Sequence, residues 1–545
     1  MLNSNIYPLT LIILDGWGNA YPSAGNAVTQ AQTPFFDKIM SAYPNASLGA
    51  AGESVGLPHQ QDGNSETGHL NIGAGQIVFQ DLARINTAIA DESFFQLPGL
   101  KLAIDHVKKN NSTLHLIGLI GAGGVHANNE HLFTLIKFAQ NNNITNLSLH
   151  LFTDGRDSPP TSSQIYISQI EQLLEKTGIG TIASICGRYY AMDRDFRWDR
   201  TQKAYQCLTQ GVGLKAINTQ QAILQSYQAK KTDEFIQPTN IVDVNGTPLS
   251  LIQDNDAVIF YNFRVDRPRQ LTKAFTLKDF EETGNKLTFD PYADKYLKTH
   301  LPASKISQQP FKREKILKNL FFATMTEYQK DLPCIVLIER QQTKYPLAKV
   351  LAEHNLNQLH ISETEKERFV TYYFNGLRDK RFPNEDWEVI PSLTNIPTYD
   401  FQPEMSTPQI TQTVIEKLKL NKYHFIVVNI ACPDMVAHTG NLKATIKACE
   451  AADIALSKII PIVLAMNGTV LVTADHGNAE ELINLQTGQI DTEHSNNPVP
   501  FILVNKQYAN QPEALPPGIL ADIAPTILKL MNFPKPEEMT GKSLI

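Results

Sequence analysis

Residues 9–14 read Leu-Thr-Leu-Ile-Ile-Leu, and residues 15–18 read Asp-Gly-Trp-Gly. A short, nearly continuous apolar run is typical of a strand buried on both faces, as in a parallel sheet. Proteins built on such sheets place ligand-binding groups beyond the carboxyl ends of the strands. Asp15 is therefore a candidate functional residue at the end of a first strand.

Strand and helix patterns alternate along most of the chain after this strand. The predicted strands are the apolar runs 114–119, 147–152, 181–186, 258–263, 317–323, 334–338, 369–374, 425–430, 469–473 and 499–504. Helical patterns such as 131–140 and 161–174 separate them. This alternation predicts a parallel sheet with helices on its faces, so the predicted fold class is α/β.

The bulk composition describes an ordinary soluble chain. Its 545 residues exceed what one hydrophobic core usually holds, which predicts two or three domains. A formal net charge of -7 argues against partners such as nucleic acid or anionic membrane. Residues 1–15 predict a strand and not a signal peptide, and no segment approaches the roughly 18 apolar residues of a membrane span. Five cysteines without a Cys-x-x-Cys pair favour free thiols in a reducing cytosol, so a cytoplasmic location is expected.

One serine has unusual neighbours. Residues 62–69 read Asp-Gly-Asn-Ser-Glu-Thr-Gly-His, a composition that predicts a tight turn. A serine on such a turn can act as a nucleophile if another group removes its proton. A plain turn residue is an equally common role for Ser65.

Carboxylates and imidazoles recur in the last third of the chain. Asp434 and His438 are four residues apart, which puts both on one face if the segment is helical. Asp475 and His476 follow the predicted strand 469–473. His494 lies in a polar loop. Taken singly, such residues are more often surface pairs or loop histidines without a chemical role.

Together with Asp15, these residues supply three carboxylates and three imidazoles. Oxygen and nitrogen ligands without thiolates suit Zn or Mn, and six of them exceed one tetrahedral site. Two metal ions beside Ser65 would lower the pKa of its hydroxyl and hold phosphoryl oxygens.

Arginines are concentrated between residues 156 and 269. Those at predicted strand ends can grip phosphate or carboxylate groups through bidentate hydrogen bonds. For Arg197, Arg200 and Arg269, salt bridges on helix surfaces are the more common role. Residues 275–315 have weak periodicity and predict a linker or a surface insertion.

Several ordered segments resemble the signature sequences of the cofactor-independent phosphoglycerate mutases, in the alkaline phosphatase superfamily. The segments are 14–18, 62–69, 153–157, 187–200, 262–269, 363–366, 399–406, 434–440 and 474–478. The similarity runs in the family's order from residue 11 to about 505. The chain departs from the pattern at Glu367-Arg368-Phe369 and at Leu377, where the family has a second glycine.

This resemblance implies a three-layer α/β/α, phosphatase-like, metal-binding domain, formed by 1–78 and 311–545. An α/β transferase-like domain, 79–310, is inserted and binds substrate. Two Mn²⁺ ions are implied, with Zn²⁺ or Co²⁺ as alternatives, and no 2,3-bisphosphoglycerate. The implied ligands are Asp15, Ser65, Asp475 and His476 for one ion, and Asp434, His438 and His494 for the other. The implied substrate-binding residues are His126, Arg156, Asp157, Arg188, Arg194, Arg264, Arg267 and Lys366.

The implied activity is interconversion of 3-phosphoglycerate and 2-phosphoglycerate through a phosphoserine at Ser65, in glycolysis and gluconeogenesis, by a monomer. Ser65, Asp157 and Lys366 are the implied catalytic residues, with Asp157 moving hydroxyl protons. An Asp157 that only orients Arg156 is the alternative. The rival functions are a metal-dependent phosphatase, another phosphomutase, or a binding protein with a degenerate metal site.

Overall fold

The computed structural model describes residues 7–286, 308–484 and 487–545. The chain divides into two compact units. The first unit comprises residues 1–83 and 341–545, and the second comprises residues 84–340. In the described part of the chain, both units contain a mixed sheet with helices, which confirms the predicted α/β class.

The first unit contains an eight-stranded sheet among its described residues. In spatial order its strands are Glu385–Ile390, Gln358–Glu363, Phe425–Ile430, Leu9–Leu14, Thr469–Thr473, Val499–Val504, Asn45–Gly49 and Gly518–Ile519. The first five strands are parallel, and the sixth pairs in antiparallel fashion with both of its neighbours. The central strand Leu9–Leu14 is buried along its whole length. The parallel strands therefore bring their carboxyl ends to one edge of the sheet.

Helices cover this sheet and complete its core. They are Ala27–Gln30, Pro34–Ala42, Ser65–Ala74, Leu347–Glu353, Thr407–Lys419, Cys432–Ala437, Leu442–Ala465 and Ile523–Leu530. The apolar run that was predicted as a strand at 369–374 is instead a π-helix, Phe369–Tyr373. Short apolar runs occur in buried helices as well as in strands, so this prediction was wrong.

The second unit contains another eight-stranded sheet among its described residues. In spatial order its strands are Ile335–Ile338, Phe321–Thr326, Ala257–Phe260, Leu114–Ile120, Leu147–Thr153, Thr181–Gly187, Thr239–Ile241 and Leu214–Ala216. All neighbours pair in parallel except Thr181–Gly187 with Thr239–Ile241. Its helices are Pro98–Asn110, Asn129–Asn141, Ser163–Thr177, Arg188–Ala191, Trp198–Gln210, Thr219–Gln228, Arg269–Thr276 and Phe280–Thr283.

The division between the units differs from the expected boundaries. The first crossing, between Ala83 and Arg84, lies inside the helix Asp81–Ala90. The return lies at 340/341 and not at 310/311, because the strand Phe321–Thr326 pairs with the second sheet.

The described ends of the stretch 275–315 are not a linker. The side chains of Phe280 and Phe311 are buried. Arg313 is buried as well, and its guanidinium donates to the carbonyl oxygens of Ala274 and Leu277 at 3.1 and 2.8 Å. These contacts fix both ends of the stretch in the second unit, while residues 287–307 lie outside the described residues.

Candidate functional site

Four parallel strands of the first unit end beside the candidate metal ligands. Asp15 directly follows Leu9–Leu14, and Asp475 lies just beyond Thr469–Thr473. The next two strands in the sheet lead to Asp434 and Lys366. The sheet thus gathers at one edge the side chains that are far apart in sequence.

Ser65 begins a helix, so the predicted tight turn is wrong. The Asn64 side chain caps the helix Ser65–Ala74 by accepting from the backbone N–H of Thr67 at 3.0 Å. A helix N-terminus favours anions, because its backbone N–H groups are unpaired and its dipole is positive there. A Cβ atom at Gly68 would collide with the backbone oxygen of Asp475, so glycine permits this close approach.

The hydroxyl of Ser65 is surrounded by ionisable groups. Its Oγ lies 2.8 Å from Lys366 Nζ, 3.0 Å from His476 Nε2 and 3.4 Å from Asp15 Oδ1. Only 5% of Ser65 is exposed. The serine is therefore held among a cation, an imidazole and a carboxylate in a site that excludes most water.

Asp434 is the centre of the other predicted ligand set. Its Oδ1 lies 3.4 Å from His438 Nε2 and 3.5 Å from His494 Nε2. The ligand atoms of these three residues lie within 4.8 Å of one another, and so do those of Asp15, Asp434 and His476. Asp434 is therefore shared between two groups that could each hold an ion.

The buried charges of this cluster strongly perturb one another. Burial and the neighbouring Asp475 raise the pKa of Asp15 to about 7. Burial also opposes ionisation of Asp434, but Lys366 holds the pKa of that carboxyl well below its usual range. Lys366 Nζ lies 2.6 Å from Asp15 Oδ1 and 2.7 Å from Asp434 Oδ2. These carboxylates raise the lysine pKa despite its burial.

Three further side chains brace the ligands, and no residue pattern had singled them out. Asn429 donates to Asp15 Oδ2 at 2.6 Å, and Asn478 donates to Asp434 Oδ1 at 2.7 Å. His69 Nδ1 lies 3.2 Å from Asp475 Oδ2. His69 and Asn478 belong to segments that carried the family resemblance, which is the one signal that could have indicated them.

The residues present fit divalent cations. Three buried carboxylates face one another, and the ammonium of Lys366 offsets only part of their charge. Uncompensated buried charge is strongly unfavourable, so the cluster favours additional positive charge. The Oδ2 atom of Asp475 makes no hydrogen bond in the described structure, because the nearby His69 Nδ1 pairs with the carbonyl oxygen of Ser65 at 2.9 Å, and this oxygen therefore keeps a lone pair for a cation. Nitrogen and oxygen donors without thiolates suit Mn²⁺, Zn²⁺ or Co²⁺.

The second unit carries the arginines that were predicted to bind substrate, here called the arginine cluster: Arg156, Arg188, Arg194, Arg264 and Arg267. Arg188 is 2% exposed, and its guanidinium contacts both Asp154 Oδ1 and Asp157 Oδ2 at 2.5 Å. Burial opposes ionisation of Asp157, but Arg188 lowers its pKa below the usual range. Asp154 Oδ1 also accepts from the backbone N–H of Arg156 at 3.3 Å. One carboxylate thus fixes both the turn that carries Asp157 and the arginine beside it.

Three of the remaining predicted residues, His126, Arg194 and Arg264, lie around Asp266, which belongs to the segment 262–269 but was not itself predicted as a site residue. Arg194 contacts Asp266 Oδ2 at 2.5 Å, and Arg264 Nε lies 3.3 Å from Asp266 Oδ1. His126 lies 3.7 Å from Asp266 and 3.7 Å from Asp157. Burial, followed by nearby arginines, lowers the pKa of Arg267 to about 10. The basic side chains are therefore closely spaced and partly desolvated.

Not every predicted residue lies in these contacts. Arg156 is exposed and lies 3.8 Å from Glu234. Lys366 lies in the first unit, among the candidate ligands Asp15, Ser65, Asp434, His438, Asp475, His476 and His494, which we call the metal-ligand cluster. Arg197 and Arg200 pair with Asp193, which confirms salt bridges as their role.

Comparisons with known proteins agree with this geometry. A family model described as the BPG-independent PGAM N-terminus matches residues 85–330. A 2,3-bisphosphoglycerate-independent phosphoglycerate mutase from Chloroflexus aggregans is 46% identical, over 99% of this chain and 98% of its own length. A similarly named protein from Methanosarcina acetivorans is 44% identical, over 99% of this chain and 98% of its own length.

The solved structures include a related enzyme. Leishmania mexicana phosphoglycerate mutase, crystallised at low cobalt concentration, is 29% identical and superposes with a TM-score of 0.64. The match covers 98% of this chain and 97% of the other. The full-length similarity and the shared fold have one consequence: this chain belongs to the family of 2,3-bisphosphoglycerate-independent phosphoglycerate mutases.

Proposed function

We propose that this protein interconverts 3-phosphoglycerate and 2-phosphoglycerate through a phosphoserine at Ser65, without 2,3-bisphosphoglycerate. The observation that carries the proposal is the position of Ser65 Oγ, at a helix N-terminus and 2.8 Å from Lys366 Nζ. Both features stabilise a phosphoryl group that is attacked by the serine. The names of the full-length relatives support phosphoglycerate as the substrate.

Two divalent cations complete the proposed site. The proposed ligands are Asp15, Ser65, Asp475 and His476 for one ion, and Asp434, His438 and His494 for the other. When bound, the ions lower the pKa of the serine hydroxyl and neutralise charge on phosphoryl oxygens. We propose Mn²⁺ as the resident metal, with Zn²⁺ or Co²⁺ as alternatives that the same donors accept.

The chain's own residues account for the first half-reaction. Ser65 Oγ attacks the phosphorus atom in line as an alkoxide, which the ammonium of Lys366 at 2.8 Å stabilises. The bond between phosphorus and the substrate oxygen breaks, phosphoserine forms, and glycerate leaves as an alkoxide. Lys366 and the helix N-terminus offset the charge on the phosphoryl oxygens, since positioning and electrostatics dominate phosphoryl transfer. In the second half-reaction, the other hydroxyl of glycerate attacks phosphoserine and releases Ser65.

The arginine cluster provides a binding site for glycerate, which a simple phosphatase does not need. We propose that Arg156, Arg188, Arg194, Arg264 and Arg267 bind the carboxylate and hydroxyl groups of glycerate, together with His126. Asp157 enters the first half-reaction protonated, gives this proton to the departing alkoxide and regains it from the hydroxyl that attacks next. Glycerate that stays bound between the half-reactions is rephosphorylated and is not lost.

The test uses purified protein with Mn²⁺ and 3-phosphoglycerate, and no 2,3-bisphosphoglycerate. Phosphorus NMR should show 2-phosphoglycerate and little inorganic phosphate. Inorganic phosphate without 2-phosphoglycerate would instead establish a phosphatase. Ser65→Ala should reduce activity at least ~10⁴-fold, because removing the nucleophile blocks both half-reactions. Ser93→Ala, a change at an exposed serine that also begins a helical turn, should retain full activity.

Trapping the intermediate tests the serine directly. Acid quenching during turnover, followed by mass spectrometry, should find phosphate on the peptide that contains Ser65. Phosphate on another residue, or full activity of Ser65→Ala, would contradict the phosphoserine step.

The cellular setting is part of the same proposal. We propose a cytoplasmic monomer that acts in glycolysis and gluconeogenesis. All five cysteines are free of disulfides, which supports a reducing compartment. Among the described residues, no helix is long and apolar enough to cross a membrane. Light scattering on the purified chain would test the oligomeric state.

A further inference from the structure

His126 lies between two carboxylates of the second unit. Its Nε2 is 3.7 Å from Asp157 Oδ2, and its Nδ1 is 3.7 Å from Asp266 Oδ1. Only 4% of His126 is exposed. Within the described structure, both His126 Nδ1 and Asp266 Oδ1 are buried without a hydrogen-bond partner. Asp266 Oδ1 has an ion-pair contact with Arg264 Nε at 3.3 Å but no hydrogen bond, so a hydrogen bond from His126 Nδ1 would satisfy both buried atoms.

The surroundings of His126 and Asp266 determine the charge state of each side chain. Burial, together with Arg188, Arg264 and Arg267, lowers the pKa of His126 to about 3, against the opposing effect of Asp266. The imidazole is therefore neutral near pH 7 and carries one N–H. Burial opposes ionisation of Asp266, but Arg264 and Arg194 lower its pKa to about 2.

An ionised carboxylate only accepts hydrogen bonds. Asp157 Oδ2 already accepts from Arg188, whereas Asp266 Oδ1 has no hydrogen-bond donor in the described structure, so an N–H on Nδ1 supplies the missing donor. Asp266 itself is fixed, because Arg194 contacts one of its oxygens and Arg264 contacts the other. The backbone of His126 is also fixed, since its carbonyl oxygen accepts from the N–H groups of Phe263 and Arg264.

We infer that Asp266 is a positioning residue that holds His126 as the Nδ1–H tautomer and thereby directs the Nε2 lone pair toward Asp157. This inference deepens the proposed function and rests on it. In the reaction, the O–H bond of a glycerate hydroxyl breaks and an O–H bond forms on Asp157. The protonated Asp157 then donates a hydrogen bond to His126 Nε2.

The His126 tautomer explains how Asp157 can accept a proton although Arg188 lies beside it. Arg188 stabilises the charged form of Asp157 and so makes it a weak base. A neutral acceptor beside the carboxyl favours the protonated form instead. The 3.7 Å separations are longer than hydrogen bonds, and catalytic contacts of this kind tighten when substrate binds.

Two substitutions of Asp266 separate its two effects. Asp266→Asn keeps an oxygen that accepts from Nδ1–H but loses the charge that pairs with Arg194 and Arg264, so KM should rise while kcat stays within about threefold of wild type. Asp266→Ala also loses the acceptor, so kcat should fall on the order of 10- to 100-fold. Asp195→Asn removes another Asp–Arg pair of this unit, with Arg197, and should leave kcat unchanged.

A double-mutant cycle with His126→Gln tests whether Asp266 acts through the histidine. The kcat loss of Asp266→Ala should disappear in the His126→Gln background, because the tautomer no longer exists. Additive losses, or equal kcat values for Asp266→Asn and Asp266→Ala, would overturn the inference. Melting temperatures measured on all variants identify any loss that comes from unfolding.

The tautomer can be observed without any turnover. In protein labelled with ¹⁵N-histidine, the resonances that His126→Gln removes should have the chemical shifts of a neutral Nδ1–H ring. Asp266→Ala should move them toward the Nε2–H form, which donates to Asp157. An Nε2–H ring in the wild-type protein would overturn the inference even if the enzyme is a mutase. An Nδ1–H ring in a protein without mutase activity would uphold the tautomer and reject the proposed function.

Discussion

The metal-ligand cluster of the first unit and the arginine cluster of the second carry opposite charge and differ in how deeply that charge is buried. The first buries three carboxylates, Asp15, Asp434 and Asp475, almost completely. The second gathers guanidinium groups that range from 2% exposed at Arg188 to 56% at Arg156. The metal-ligand cluster therefore holds negative charge away from water, whereas part of the positive charge of the arginine cluster is exposed to water.

This difference indicates how each cluster is stabilised. Buried carboxylates need cations and rigid donors, and the amides of Asn429 and Asn478 provide such donors at 2.6 and 2.7 Å. The arginines instead pair with carboxylates of their own unit, such as Asp154 and Asp266. The first cluster should therefore respond to metals and to Lys366, and the second to ligands that carry negative charge.

Among the substitutions that test this difference between the clusters, the largest expected effect comes from Lys366→Gln. The change removes an ammonium that lies within 2.8 Å of Ser65, Asp15 and Asp434. Mutase activity should fall by about 10³-fold or more, since electrostatic stabilisation of phosphoryl transfer is lost. Without metal, the free energy of unfolding should fall by about 3 kcal/mol, because an ion pair buried among carboxylates loses its cation. Activity assays and urea unfolding measure the two effects.

Added Mn²⁺ should restore most of the stability of Lys366→Gln but little of its activity. Lys349→Gln is the control, because Lys349 pairs with Glu353 on the surface at 3.8 Å. A Lys366→Gln protein that is as stable as wild type in the presence of a chelator would show that the carboxylates do not need this cation.

A smaller effect is expected from Arg188→Lys in the arginine cluster. Arg188 contacts Asp154 and Asp157 through Nη1 alone, at 2.5 Å, which leaves the rest of the planar guanidinium for the substrate, whereas a lysine would spend its single ammonium on these two carboxylates. The value of kcat/KM should fall on the order of 100-fold, because bidentate positioning of the charged substrate is lost. The affinity for Mn²⁺, measured by calorimetry, should stay as in the wild type.

Arg197→Lys is the matched control for this variant. Arg197 is 45% exposed and pairs with Asp193 and Asp195. Exposed pairs contribute less than about 1 kcal/mol, so neither activity nor stability should change appreciably. If Arg188→Lys weakened Mn²⁺ binding, the two clusters would not be independent in the way the comparison requires.

The fold could be predicted where burial is uniform. The strands Leu9–Leu14, Phe425–Ile430, Thr469–Thr473 and Val499–Val504 have the predicted bounds, since each is buried on both faces. The strand Gln358–Glu363 was missed because it buries Gln, His, Ser and Glu side chains, which no hydrophobic pattern reveals.

Sequence patterns predicted the functional site less completely than the fold. The candidate ligands were indicated by residue type and family resemblance, but Asp266 and Asn429 become visible only through contacts between distant parts of the chain. At Leu377, where the family resemblance predicts a second glycine, the backbone has φ of 70°, a left-handed conformation that is strained for leucine. The side chain packs against the cluster around Leu70 and Phe369, an interaction that glycine would lack.

Glu363 is a buried carboxyl at the same sheet edge that belongs to neither proposed ligand set. It ends the strand Gln358–Glu363 and is fully buried. Its Oε2 accepts from the Ser392 hydroxyl at 2.8 Å, while its Oε1 has no hydrogen-bond partner among the described residues. Burial raises the pKa of Glu363 to about 7, against the opposing effect of the Ser392 hydrogen bond.

The smallest expected effect is the pH dependence that this carboxyl produces, and Glu363→Gln should remove it. A raised folded-state pKa contributes stability that is fully present below the unfolded pKa of about 4.3 and is lost as pH rises to about 7. Above that pH the wild type contains a buried, ionised Glu363, whereas glutamine stays neutral. The variant should therefore match the wild type near pH 4.5 and be more stable by about 3 kcal/mol at pH 8.

Urea unfolding in the presence of a chelator, repeated from pH 4.5 to 8.5, measures this difference while other titrating groups cancel between the two proteins. Glu353→Gln, at a glutamate whose side chain is 55% exposed, should follow the wild type at every pH. If the curves of wild type and Glu363→Gln run parallel, Glu363 does not hold its proton in the folded state. The sheet edge would then stabilise a carboxylate without a cation, and the contrast between the two clusters would lose its electrostatic basis.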